Sequence, residues 1–208
     1  MRFTTRMLQG LFSGGSDGNE RLTASTAAVL LVVLALEGLT LLGVRQFLRP
    51  HIFLGLLLIP LVLLKLASTG WRMTSYYRRS AEYVRRGPPA VLIRTIVAPV
   101  LVLSTISLIA TGIAAAALDQ RGLLLTLHKL SFFVWLGALS IHVLTRVLKL
   151  PRLIVADWWR RDGLRGRRVR QLLLTGTVAV GFVLALVTLP AVDHWQDRGT
   201  GLAHVDEH

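Results

Sequence analysis

The chain is predicted to be all-α: a polytopic membrane bundle of five transmembrane helices with a four-helix core. Three observations predict it. Apolar types make up 53% of the 208 residues, and the mean hydropathy is +0.58, more apolar character than a soluble domain of this length needs. The formal net charge is nevertheless +13. The two properties are separated along the chain, long uncharged runs alternating with short arginine-dense connectors, which is the pattern of a membrane protein. A nucleic-acid binder would carry the charge without the apolar runs, so no nucleic-acid partner is expected. The absence of cysteine excludes disulfides, thiolate metal sites, iron–sulfur clusters and cysteine nucleophiles. The basic residues are 21 Arg and 3 Lys, a bias that fits a GC-rich bacterial coding sequence.

Residues 1–22 read as a polar, loop-like arm, Ser- and Gly-rich over 13–19, without the apolar stretch of a cleavable signal. Five apolar segments follow at 23–47, 51–71, 95–118, 123–148 and 171–191. Each is close to the ~20 residues that a helix needs to cross about 30 Å of hydrocarbon. The first connector, Arg49-Pro50, is short enough to make the first two spans an antiparallel hairpin, and Pro50 suits a first helical turn, where no amide donor is lost. Pro60 and Pro99 fall inside spans and are expected to kink them. A basic connector occupies 149–170 and a tail 192–208.

Basic residues set the expected orientation. The N-terminal arm and the connectors Arg72–Arg94 and Arg146–Arg170 hold 18 of the 24, against five on the opposite side (Arg45, Arg49, Arg121, Lys129, Arg198) and Lys65 within a span. The positive-inside rule therefore predicts a bacterial cytoplasmic membrane protein with its N-terminus inside and its tail outside. Trp71, Tyr76-Tyr77 and Trp158-Trp159 would form the inner aromatic belt.

Ionisable side chains inside spans are costly and mark function. Glu37, Lys65, His51, His128 and His142 qualify. The second and fourth spans run parallel, so His51 and His128 fall at similar depth near the outer surface. His142 lies 14 residues beyond His128, and Lys65 14 beyond His51. Fourteen steps return to within about 40° of the same face, roughly 21 Å further along the axis. Neutral imidazole is a good axial ligand to haem iron, and a bis-His pair suits electron transfer because no coordination position stays open. An amine ligates only when deprotonated, which burial favours. The alternative for Lys65 is a stem that snorkels toward the inner headgroups. Small residues at the same step, Ala24 and Gly38 in the first span and Ala98 and Gly112 in the third, would leave room for a macrocycle. Arg45, Arg49 and Lys129 are placed to pair with propionates.

The stretches Arg49–Gly55 and Lys65–Arg72, with Leu127-His128-Lys129 and Ile141-His142, resemble the four-helix core of the cytochrome b superfamily, including its smaller b561-like subunits. The likeness covers 23–148. It implies haem b held by His51 and His128, a second haem held by His142 and Lys65, and electron exchange with quinone or a peripheral redox protein. The family pattern has histidine where this chain has Lys65, so the resemblance carries the first haem further than the second. It also implies a subunit of an oxidoreductase complex more than a complete enzyme. The fifth span and the tail carry no likeness.

Other features have two readings each. Glu37 either takes protons from a quinol or pairs with Lys65 or a backbone group. The tail histidines His194, His204 and His208 either bind a metal or belong to a mobile segment. The Trp158–Arg170 run either anchors topology on anionic lipid or docks an acidic partner. The competing function is a cofactor-free transporter component or assembly factor in which Glu37, Lys65 and His142 form a buried polar network.

Overall fold

The computed structural model describes residues 15–85, 87, 91–118, 121–145 and 166–203. Among them every element is helical: α1 (Gly15–Thr40), α2 (Leu48–Tyr77), the short α3 (Ala81–Arg85), α4 (Ala98–Ala117), α5 (Arg121–Leu144) and α6 (Arg167–Ala203). Five helices are long and apolar enough to cross a membrane. The chain is an all-α, multi-pass membrane bundle, in agreement with the composition.

The boundaries differ from the sequence expectation where polar side chains supply local partners. The arm was expected to be loop-like as far as residue 22, yet α1 begins at Gly15. Its first turn is held from outside: the Ser16 N–H donates to Glu82 Oε1 at 2.8 Å, and the Ser16 hydroxyl to the same oxygen at 3.2 Å. A carboxylate there satisfies an orphan amide and complements the positive end of the helix. Gly15 sits at φ +57°, and a Cβ on it would fall 2.1 Å from Glu82 Oε1, so only glycine permits the contact. Asn19 then donates to the Ser68 carbonyl at 2.9 Å. Glu82→Ala should free the first turn of α1. At about 1 kcal/mol per cap, amide exchange at Ser16 should quicken roughly fivefold; unchanged exchange would show that the contact contributes nothing.

At its other end α1 stops at Thr40, whose hydroxyl donates back to the Glu37 carbonyl at 2.6 Å. A 3₁₀ turn over Leu41–Gly43 and a turn closed by Phe47 N–H to the Gly43 carbonyl, 2.9 Å, lead into α2. Pro50 lies in the first turn of α2, as its chemistry asks, and Pro60 lies within the helix. Pro99 lies within the third span, as expected. It occupies the start of α4 behind a π-helical turn, Ile93–Val97. Proline has no N–H for the carbonyl four residues back, and the Ala98 N–H bonds to the Ile93 carbonyl five back instead. The fifth helix continues past the expected 191 as far as Ala203, so the first part of the tail is helical.

Helices α1, α2 and α6 pack on one another around Leu30, Val33, Leu57, Leu58, Leu61 and Leu174. Helices α6 and α2 approach closely at Gly181 of α6, where a Cβ would meet the Leu57 carbonyl oxygen at 2.8 Å. Helices α4 and α5 form a separate hairpin, crossed by a Ser107–Ser131 hydroxyl bond of 2.7 Å. The two groups meet along a cavity rather than a shared core.

Candidate functional site

The cavity has a volume of about 850 Å³ and runs nearly the length of the bundle. That volume is within the roughly 300–1,000 Å³ usual for a small-molecule or cofactor site. Almost all of its wall comes from α1, α2, α4 and α5, the first four apolar spans, and Thr188 of α6 adds one contact. It is overwhelmingly apolar. Its polar groups gather at two ends, one carrying Glu37, His51, His128 and Lys129, the other Glu20, Lys65, Arg72, Tyr83 and His142.

At the first end the imidazoles of His51 (α2) and His128 (α5) face each other with ring centroids 6.4 Å apart and planes at 87°. The equal-depth expectation for these two residues holds. Each ring is anchored through Nδ1. His51 Nδ1 lies 2.8 Å from Glu37 Oε1 and 3.0 Å from the Thr40 hydroxyl. The Thr40 hydroxyl spends its own proton on the Glu37 carbonyl, so it accepts, and His51 Nδ1–H is the donor to both. His128 Nδ1 lies 3.0 Å from the Leu108 carbonyl, which can only accept; its proton is therefore on Nδ1 as well. In the neutral form of each ring, Nε2 is then the lone-pair nitrogen. That is how the histidines of metal sites are usually set, the far nitrogen tied to a carboxylate or carbonyl.

Gly112 is where the sequence asked for a small residue, and it serves His128 directly: a Cβ would stand 3.1 Å from His128 Cε1 and 3.3 Å from its Nδ1. Gly38 has nothing within 4 Å of a would-be Cβ and does not line the cavity. Of the expected propionate partners, Lys129 lines the cavity, whereas Arg45 and Arg49 are exposed and do not.

The two imidazoles and the cavity volume are compatible with a haem. A metal–imidazole bond of about 2.0 Å, plus ~1.1 Å from the ring nitrogen to the centroid, taken twice, puts the centroids roughly 6.2 Å apart. The observed 6.4 Å is close to the separation such a pair would need with both Nε2 atoms turned toward one metal.

At the second end Lys65 Nζ donates to the Thr23 carbonyl of α1 at 2.8 Å. Lys65 is thus turned into the bundle and held, rather than extended along α2 toward headgroups. Thr23 and Ser68 hydroxyls bond at 2.9 Å, and Ser68 donates to the Lys65 carbonyl at 3.0 Å. His142 lines the cavity at the same end. Helix α3 closes this mouth with Tyr83, which is 8% exposed. Burial raises the Tyr83 phenol above its ordinary value, a shift only partly offset by the hydrogen bond from Trp71.

Sequence reasoning missed the Glu37–His51 pair, assigning Glu37 other partners. Its signal was the helix-breaking Leu41-Leu42-Gly43 turn, which brings the end of α1 back alongside the start of α2. It missed Glu82 and Gly181 as well, which no spacing rule marks. Among the described residues no group of three or more His, Asp or Glu is gathered as a metal cluster. His204, His208 and most of the Trp158–Arg170 run, Trp158-Trp159 included, lie outside the described residues.

No known family model, curated protein or solved structure matches the chain.

Proposed function

We propose that the chain is an integral membrane b-type cytochrome, passing electrons between quinone or a peripheral redox partner and haem b. The observation that carries this reading is the pair of Nδ1-anchored imidazoles, 6.4 Å apart, across a large apolar cavity between two helix groups. His51 and His128 would hold the haem, with Gly112 giving the His128 ring its place and Lys129 available to a propionate. The haem, when bound, supplies a one-electron couple. The protein's part is to fix both rings, exclude water with apolar walls, and leave no coordination position open.

Lys65 and His142, at the other end of the same cavity, are the candidates for a second haem. In this reading the arginine-dense connectors face the cytoplasm of a bacterial cell and His51 lies near the outer surface. A second reading, a cofactor-free transporter component or assembly factor, is favoured by the hydrogen-bonded group Asn19, Thr23, Lys65 and Ser68. That group is a ready-made buried polar network.

An absorption spectrum separates the two. Protein purified from cells supplied with haem precursor is expected to show a Soret band and, on dithionite reduction, sharpened visible bands. The haem-to-protein ratio then counts the sites. Aromatic absorbance alone would reject the cytochrome reading.

A further inference from the structure

Glu37 carries a carboxylate in a membrane-spanning helix, and its surroundings give it one task. Its side chain is 15% exposed, and Oε1 is 2.8 Å from His51 Nδ1. Oε2 is buried and has no hydrogen-bond partner among the described residues. The facing imidazole, His128, rests instead on the neutral Leu108 carbonyl and the Thr111 hydroxyl. The two ends of the proposed axial pair therefore differ in kind: one ring donates to a carboxyl group, the other to a backbone carbonyl and a hydroxyl.

We infer that Glu37 is a positioning residue that tunes the outer site: it fixes the His51 tautomer with Nε2 toward the cavity and lowers the reduction potential of iron bound there. An imidazole whose Nδ1–H is shared with a carboxylate gains basicity at Nε2. A more basic ligand favours the ferric over the ferrous state, the reduced form being reached by one electron with no atom transferred. Thr40 accepts from the same N–H but carries no charge. It fixes orientation without supplying this electrostatic bias.

This inference rests on the haem-site reading, and the test keeps the two apart. The holoprotein, with Glu37→Gln and Thr40→Val beside wild type, is titrated potentiometrically while the haem spectrum and stoichiometry are followed. Glu37→Gln is expected to keep a low-spin bis-imidazole spectrum while its redox equilibrium moves at least tenfold toward the reduced form, about 59 mV upward for a one-electron couple. Thr40→Val should move it far less. Equal movement in both variants, or none in Glu37→Gln, overturns the inference and leaves the cytochrome reading standing; wild-type protein without haem overturns both. Should Glu37→Gln fail to accumulate, wild-type protein with ¹⁵N-labelled histidine decides. Unequal hyperfine couplings at the two Nδ1 positions support the asymmetry, and equal couplings reject it.

Discussion

If the proposed haem site is right, His128→Ala protein, prepared with haem precursor supplied, is expected to lose the haem held at the His51–His128 end while still accumulating in the membrane. The residue is half-buried at a cavity wall and not in a packed core, so its removal leaves the Leu30–Leu61 cluster untouched. What it removes is one of the two proposed ligands. Loss of an outer-shell partner typically costs 10–100-fold in metal affinity, and loss of a ligand should exceed that. Either the haem is not retained, or it remains on His51 with an open position and a high-spin spectrum. His51→Ala should give the same result, because the geometry treats the two rings as a pair. If both variants keep the wild-type spectrum and stoichiometry, neither histidine is a ligand and the proposed site is wrong. If the two differ, one losing haem and the other not, the 6.4 Å ring pairing has no role in ligation.

Gly181→Ala is expected to destabilise the bundle, and Gly176→Ala on the same helix to stabilise it or leave it unchanged. A Cβ at 181 would lie 2.8 Å from the Leu57 carbonyl oxygen and 3.0 Å from both Leu57 Cδ1 and Pro60 Cγ. The first of these is backbone and cannot step aside. Relief requires α6 to draw back from α2, opening the packed cluster around Leu57, Leu58 and Leu61. Overpacking of this kind costs about 1–3 kcal/mol. For a chain of this size each kcal/mol moves the unfolding midpoint by roughly 2–4 °C. At Gly176 nothing stands within 4 Å of a Cβ, so alanine there gains about 0.5–1 kcal/mol of helix propensity without a clash. Thermal unfolding in detergent checks both signs. Equal shifts of the same sign would mean that α6 does not pack on α2 through Gly181.

The same contrast explains what was legible before any coordinates. The number and placement of spans followed from sequence because the transfer of a side chain into hydrocarbon is a local property, summed along a window of about 20 residues. Helical pitch is equally local, which is why the 14-residue steps from His51 and His128 led to Lys65 and His142. All four do line one cavity. Element ends were less legible. Residues 15–22 look like a loop by composition, but they are helical, and Glu82, 66 residues from Ser16, caps their first turn. The π turn in front of Pro99 likewise left no mark in the sequence.

Sequence alone, then, determined that this is an all-α membrane protein of five apolar helices, and which ionisable residues share a helix face. Only the tertiary structure decided which of those faces meet. It separated α1, α2 and α6 from the α4–α5 hairpin, set His51 opposite His128, and gave Glu37 to the first of them. It also turned Lys65 toward the Thr23 carbonyl. The physical reason lies in range. Burial in lipid is decided residue by residue along the chain, whereas partners across a cavity depend on helix crossings such as Gly181 on Leu57, which leave no periodic mark in the sequence.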